Sequence, residues 1–246
     1  MKIAVAGGTG AVGRLVVARA EAAGHDTRVL SRSTGVDLEQ GTGLDLDEVD
    51  VVIDASGVQT TSAKRSVDFF TRVTGHLLAA EADAGVEHHV ALSILGAAHA
   101  PHGYYAGKAA QEQVVASGPV PWSILRAAQF FEFAHQVATK VGPFVMVPAM
   151  RSQPLAASDV AARLVEIAEA GPIGDAADLA GPREERMVEL TRAWWAVTGA
   201  RGRIIEVPIP GGFGTAIRSG AILPGPDAQL TTQTFEEWLR AETAGS

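Results

Sequence analysis

Tyr104 and Lys108, in the stretch YYAGK, carry the strongest chemical signal in this chain of 246 residues. The sequence holds only two tyrosines and four lysines, so the pairing Tyr-x-x-x-Lys has weight. On a helix, residues i and i+4 share one face. An ammonium beside a phenol favours the phenolate, so Lys108 is expected to lower the Tyr104 pKa from its ordinary value of about 10. A phenol tuned in this way is a general acid/base for a carbonyl that receives hydride. Ser93, in ALSILG, is expected to orient the carbonyl oxygen with its hydroxyl. Tyr105 competes with Tyr104 for the same role.

A second constellation lies at residues 6–13, AGGTGAVG. Gly8, Gly10 and Gly13 fit G-x-G-x-x-G, and Gly7, Gly10 and Gly13 fit G-x-x-G-x-x-G. Either pattern lets a strand turn sharply into a helix. The backbone at Gly10 can then approach a pyrophosphate, and Gly13 lets the helix pack closely on the sheet. Free N–H groups at the helix N-terminus, with its dipole, favour the anion. The loop follows the apolar run KIAVA and precedes a helical pattern, the context the motif requires. A site for NAD would place an acid about 20 residues further on, against the ribose 2′-hydroxyl. Here Ser31 and Arg32 stand in its place. Arg32 suits a bidentate pair with a 2′-phosphate, Ser31 adds a hydroxyl, and Arg14 lies within reach. NADP(H) is therefore expected over NAD(H). Asp37 and Leu38 are placed to meet the adenine.

The elements that must position these residues read as alternating strands and helices. Strands are expected at 2–6, 26–33, 49–56, 86–96 and 121–127, with a small one at 35–38; helices at 11–24, 66–85 and 104–118. The strands are continuously apolar, so both faces are covered, as in a doubly wound parallel α/β sheet. Residues 1–128 form the expected dinucleotide-binding core. Residues 129–246 form a smaller substrate-side lobe, with helices at 129–142, 158–171 (Ser158 as N-cap) and 184–199. Strands fall at 142–149 and 203–210, and a strand near 176–181 returns to the main sheet. Thr234 and Glu237 fit a capping box before a final helix at 234–240.

Composition narrows the classes of function. The net charge of −8 argues against a nucleic-acid partner or a polybasic membrane surface. The absence of cysteine removes disulfides, thiol nucleophiles and Cys-type zinc sites. The chain starts MKIAVAGG, without signal-peptide features, and no apolar run suits a spanning helix. A cytoplasmic protein acting on a small molecule is the expectation, with no metal. No Cys or carboxylate stands at ligand spacing from His99 and His102, which argues against a metal site there. Ser93 has no G-x-S-x-G elbow for a hydrolase. His88 and His89 read as surface or packing residues, and Trp194 and Trp195 as core. Ala127, Ala128 and Gln129 are candidates to line a cofactor, and Phe130 and Phe131 to line a substrate pocket.

Taken together, GGTGAVG, VLSRS, ALSILG, YYAGK and LRAAQFFEF resemble the atypical short-chain dehydrogenase/reductase group, specifically NAD(P)-binding NmrA-like proteins. AGP at 180–182 and the TFEEWL ending are similar as well, so the resemblance spans most of the chain. It implies a Rossmann fold, a bound dinucleotide and a cleft under the C-terminal lobe. It maps the phosphate loop onto Gly7, Gly10 and Gly13, the 2′-phosphate contact onto Arg32, the nicotinamide-ribose lysine onto Lys108, and the tyrosine and serine onto Tyr104 and Ser93. Cofactor contacts are thus expected from Gly7, Thr9, Gly10, Ala11, Val12, Gly13, Ser31, Arg32, Asp37, Leu38, Ala55, Ser56, Lys108 and Ala127. Two departures stand out. Ser93 and Tyr104 are closer together than the usual short-chain spacing, and His76 occupies a helix position where an asparagine is expected. Some relatives reduce quinones, aldehydes or other small acceptors, and some only sense the nucleotide. The reading is an NADP(H)-dependent oxidoreductase that passes hydride to a small carbonyl or quinone-like acceptor. The alternatives are a dinucleotide sensor without turnover, or an epimerase or isomerase that keeps its cofactor.

Overall fold

The computed structural model describes residues 1–200 and 202–244. In chain order the elements are β1 (Lys2–Ala6), α1 (Gly13–Ala22), β2 (Asp26–Leu30), a 3-10 turn (Arg32–Thr34), β3 (Val51–Asp54), α2 (Ala63–Ala84), β4 (His88–Ile94), α3 (Tyr104–Ala116) and β5 (Trp122–Ala127). There follow α4 (Phe133–Gln136), β6 (Thr139–Val141), β7 (Phe144–Pro148), β8 (Arg151–Ser152), α5 (Ala157–Ala170), β9 (Gly174–Asp175), β10 (Leu179–Ala180), β11 (Glu185–Arg186), α6 (Met187–Thr198), β12 (Arg203–Val207), α7 (Gly211–Ser219), β13 (Gln229–Leu230) and α8 (Phe235–Ala244). The chain forms two compact units. One is Met1–Arg126 with Ser158–Ala177; the other is Ala127–Ala157 with the chain from Asp178 onward. The helix at 157–170, expected in the second lobe, therefore belongs almost wholly to the first unit.

The first unit is built on the strand order β2-β1-β3-β4-β5, with β9 beside β5. The pairs β1–β2, β1–β3, β3–β4 and β5–β9 are parallel. Parallel strands need crossover helices, which cover both faces of the sheet. This is why KIAVA, VVID and HHVALSI are buried almost throughout. Chain order reverses between β1 and β3. In open α/β sheets, ligands bind outside the carboxyl ends of the strands at such a point. The loop after β1 and the segment after β3 meet there. The strand expected at 35–38 is reduced to a single bridge, Asp37 to Thr42. A local turn takes its place, in which the Asp37 carboxylate accepts from the amides of Glu39 and Gln40.

Helix α2 starts at the Ser62 side chain, which accepts from the Arg65 amide. It ends at Gly85, whose φ of 73° provides a left-handed cap. Gly107 lets α3 approach α2 closely: a Cβ there would lie 2.1 Å from Ser66 Oγ and 2.7 Å from Phe70 Cδ2. That approach brings the next residue, Lys108, against Phe70.

In the second unit, Leu179 of β10 pairs with Ala127, and β10 pairs in parallel with β13. The strand expected near 176–181 forms over two residues. A long helix at 129–142 does not form. Helix α4 is one turn, and Gly142 (φ 58°) with Pro143 reverses the chain so that β6 pairs antiparallel with β7. Glycine takes that conformation at little cost, and proline cannot continue a helix. Ser158 lies inside α5 and is not its cap. The Thr234–Glu237 capping box does form, with Glu237 Oε2 accepting from the Thr234 amide and Thr234 Oγ1 from the Glu237 amide. In this unit Phe131, Phe235 and Trp238 form a buried aromatic cluster, continued outward by half-buried Trp194 and exposed His135 through ring contacts of 4.8–5.8 Å. Phe131 is thus a core residue and not a pocket wall.

Candidate functional site

The glycine loop closes on itself and on the end of β3. The Gly10 amide donates to Gly7 O, and the Gly7 amide to Leu30 O. Gly7 has a φ of 71°, and a Cβ on it would lie 2.9 Å from Ser56 Cα. A Cβ on Gly13 would lie 2.1 Å from Gly7 O. The constraint at Gly13 therefore comes from the loop itself and not from packing of the helix on the sheet. Gly8 is held between Val29 and Val5 O, whereas Gly10 is exposed, with Gly7 O as its nearest neighbour at 3.1 Å. Thr9, Gly10 and Ala11 form the solvent rim; Val12 and Gly13 are buried beneath it. The Gly10 amide is taken by Gly7 O, whereas the amides of Thr9 and Ala11 make no backbone hydrogen bond among the described residues, so the rim presents these two as N–H donors ahead of α1.

Ala55 and Ser56 follow β3. The Ala55 amide donates to Ala6 O, and the Ser56 amide to Asp54 Oδ1. The Ser56 hydroxyl is buried and makes no hydrogen bond among the described residues. Buried polar atoms normally find partners, so this orphan beside Gly7 marks a place for a polar ligand atom. The tight loop, the exposed amides and the orphan hydroxyl together fit a dinucleotide pyrophosphate.

Ser31 is turned to a local task. Its Oγ bonds Ser33 Oγ at 2.8 Å, and its amide donates to Thr34 Oγ1. Arg32 and Arg14 are exposed, and neither forms an ion pair among the described residues. Leu38 is partly buried against the hydrophobic core that includes Val36 and Leu77, and its carbonyl bonds His76 Nδ1 at 3.0 Å. His76 thereby braces the loop at 37–42 against α2. Ala127 is buried at the end of β5 and lies in the second unit.

Lys108 lies inside the first unit. Its Nζ donates to Leu92 O at 2.8 Å and to Gln111 Oε1 at 2.8 Å, and it sits 4.1 Å from the Phe70 ring centroid. Burial pulls its pKa down to about 8, opposed by the carboxylates of Asp54 and Glu112. Tyr104 stacks edge-on against Phe70, with ring centroids 5.4 Å apart. Its hydroxyl is directed toward the segment after β3, where a Cβ on Gly57 would lie 3.6 Å away. The ammonium lies over the Tyr104 ring, 5.9 Å from its centroid. The expected activation of the phenol is reversed: burial and the nearby Asp54 charge push the Tyr104 pKa up.

Ser93 does not face Tyr104 with a free hydroxyl. Its Oγ donates to Glu112 Oε1. Glu112 also takes a bidentate pair from Arg126, at 3.0 Å to Nε and 2.7 Å to Nη2, and Arg126 in turn pairs with Asp175. Tyr104 and the glycine loop reach the segment after β3, Lys108 is bonded to β4 at Leu92 and linked to β3 only through Gln111, and Ser93 is held by the Glu112–Arg126 group.

Sequence reasoning missed Asp54, Gln111, Glu112 and Arg126. Asp54 is fully buried; its Oδ2 accepts from Gln111 Nε2 at 2.8 Å. Two signals were present: an acid closing the apolar run VVID, and Gln111 and Glu112 at three and four residues after Lys108, on its helical face.

No family model and no curated protein matches the chain. Solved structures do. A UDP-glucose 4-epimerase from Bifidobacterium longum, in complex with NAD+ and UDP, is 14% identical with a TM-score of 0.75, covering 99% of this chain and 97% of that one. The NAD-dependent NDP-hexosamine 5,6-dehydratase TunA, involved in tunicamycin biosynthesis, is 16% identical with a TM-score of 0.72, covering 99% and 96%. A short-chain dehydrogenase/reductase superfamily protein from Agrobacterium tumefaciens, with bound NAD, is 20% identical with a TM-score of 0.68, covering 99% and 96%. At these identities the likeness is one of fold. The fold is the Rossmann-type fold of these proteins. No group of three His, Cys, Asp or Glu that could hold a metal occurs among the described residues. Nor is any described helix long and apolar enough to cross a membrane.

Proposed function

We propose that the chain is an NADP(H)-dependent oxidoreductase of the atypical short-chain dehydrogenase/reductase type, of the NmrA-like kind, acting on a small carbonyl or quinone-like acceptor. The observation that carries this reading is the glycine cradle at the sheet's switch point, closed by Gly7 and Gly13 and flanked by the orphan Ser56 hydroxyl. Thr9, Gly10, Ala11 and Ser56 would hold the pyrophosphate. Arg32, exposed and without an ion pair among the described residues, would take the 2′-phosphate, with Arg14 in support. When bound, a dihydronicotinamide supplies hydride. Tyr104, whose phenol burial keeps protonated, would donate its proton to the acceptor oxygen as that oxygen gains negative charge. This favours the reductive direction, because the tyrosine starts as the acid. Lys108 acts from inside the fold as a positive charge and not as a contact of the ribose. This reading gives Ser93, whose hydroxyl donates to Glu112, no substrate contact.

A dinucleotide sensor without turnover is the second reading. The engaged Ser93 hydroxyl and the internal Lys108 ammonium favour it. The deciding experiment is NADPH oxidation against a panel of quinones and aldehydes, with binding measured in parallel. Oxidation of at least one acceptor, slowed at least tenfold in Tyr104→Phe, supports the oxidoreductase. Tight NADPH binding without oxidation of any acceptor supports the sensor.

A further inference from the structure

Three buried groups run in line from the end of β3 into α3. Asp54 Oδ2 accepts from Gln111 Nε2 at 2.8 Å, and Gln111 Oε1 accepts from Lys108 Nζ at 2.8 Å. All three residues are buried, with Asp54 at 0%, Gln111 at 1% and Lys108 at 3% exposure. A carboxylate can only accept, and an ammonium can only donate. The amide between them therefore has one orientation, nitrogen toward Asp54 and oxygen toward Lys108. The ammonium also donates to Leu92 O and lies against the rings of Phe70 and Tyr104. An unpaired ammonium in such a place would lose its proton, because burial disfavours the charged form.

We infer that Gln111 and Asp54 are positioning residues that hold Lys108 as a fixed cation behind Tyr104. Asp54 sets the direction of the Gln111 amide, and the amide oxygen sets the place of the ammonium. Asp54 also ties this cation to the candidate nucleotide site, since its other oxygen accepts from the Ser56 amide beside Gly7. The charged and titratable groups facing Lys108 are Asp54 from β3 and Glu112 and Tyr104 from α3. From β4 it receives a backbone carbonyl, and from α2 the Phe70 ring. Further along β4, His89 pairs with Glu81 of α2 and also feels Asp54. That the fixed cation favours negative charge on an acceptor oxygen rests on the proposed reaction. Its positioning does not.

The test is a pH titration of the Lys108 side chain by NMR in the nucleotide-free chain labelled at lysine. The Lys108 signal is identified by its loss in Lys108→Met. In Asp54→Asn and in Gln111→Met the titration midpoint should fall by about one unit or more. Gln111→Glu, which brings a negative charge next to the ammonium, should raise it. Adding Gln111→Glu to Asp54→Asn should restore a midpoint at or above that of the wild type. A merely structural role would lower melting temperatures without this ordered movement and rescue. If the midpoint stays in place in Gln111→Met and Gln111→Glu, the positioning role is overturned, whether or not Asp54→Asn folds. NADPH binding is measured separately on the same variants. A shifted titration without nucleotide binding keeps the positioning role and removes the proposed reaction.

Discussion

The Cβ position of Gly13 lies 2.1 Å from the carbonyl oxygen of Gly7. No side chain fits there while the loop keeps its shape, and the obstacle is backbone, which cannot rotate aside. Gly13→Ala should therefore move the loop, cost about 1–3 kcal/mol of stability and weaken dinucleotide binding by an order of magnitude or more. Gly10→Ala meets Gly7 O at 3.1 Å, a tight backbone contact relieved by a small shift, and should lower the melting temperature less than Gly13→Ala does. Calorimetric titration with NADPH and thermal melts check both. Wild-type affinity in Gly13→Ala would remove the loop from the binding site.

Arg32 stands exposed just beyond β2, where the fold usually places the residue that reads the ribose. Arg32→Ala should weaken NADPH binding by about 1.5–3 kcal/mol, the loss of a charge-assisted hydrogen bond to a phosphate. NADH binding should change little. Dissociation constants for both nucleotides decide the matter, and equal losses would contradict the NADP(H) preference.

Tyr104 is pushed toward a higher pKa by burial first and by Asp54 second. In a Tyr105→Phe background, the absorbance change of phenolate formation should begin only above pH 10 in the folded protein. Asp54→Asn should bring the onset down, because it removes a negative charge that opposes ionisation. An onset near neutral pH would show a lysine-activated phenol of the kind expected from the sequence.

His88 is buried and bonds Ser123 Oγ at 2.8 Å. Burial lowers its pKa to about 4, helped by the neighbouring His89. The unfolded chain binds this proton at about pH 6.5, and the folded chain does so only near 4. Stability from this residue is therefore full above about pH 6.5 and falls as pH drops toward 4, by on the order of 2 kcal/mol. Denaturant unfolding at several pH values should show this slope in the wild type and a flatter one in His88→Gln. His89 works in the opposite sense. Burial opposes its charge, but Glu81 at 2.8 Å wins and raises its pKa, so its contribution is lost as pH rises through the folded value. An unchanged slope in His88→Gln would assign the acid loss to other groups.

Much of the first unit was legible before any coordinates. KIAVA, VVID and HHVALSI announce parallel strands because strands covered on both faces must be apolar throughout. Glycines 7–13 announce the turn because few other residues fit it. Legibility dropped where pattern and turn chemistry compete. QFFEFAHQVATKVG has a helical pattern, yet Gly142 and Pro143 impose a hairpin, and pairing with β7 outweighs local preference. GVDL reads as a strand, but the Asp37 carboxylate captures the following amides and turns the chain.

For the site, the sequence by itself determined which residues share a helical face and where the glycine loop falls. It placed Tyr104 and Lys108 one turn apart because helical spacing is a local property. Only the tertiary structure decided what those side chains meet. Leu92 and Phe70 reach Lys108 from β4 and α2, and Asp54 acts on it from β3 through Gln111, so three elements that chain folding brings together surround it. That meeting desolvates the ammonium and commits its donors to Leu92 O and Gln111, while burial keeps Tyr104 protonated. Burial and charge act over a few ångströms of space, and spacing along the chain does not report that distance.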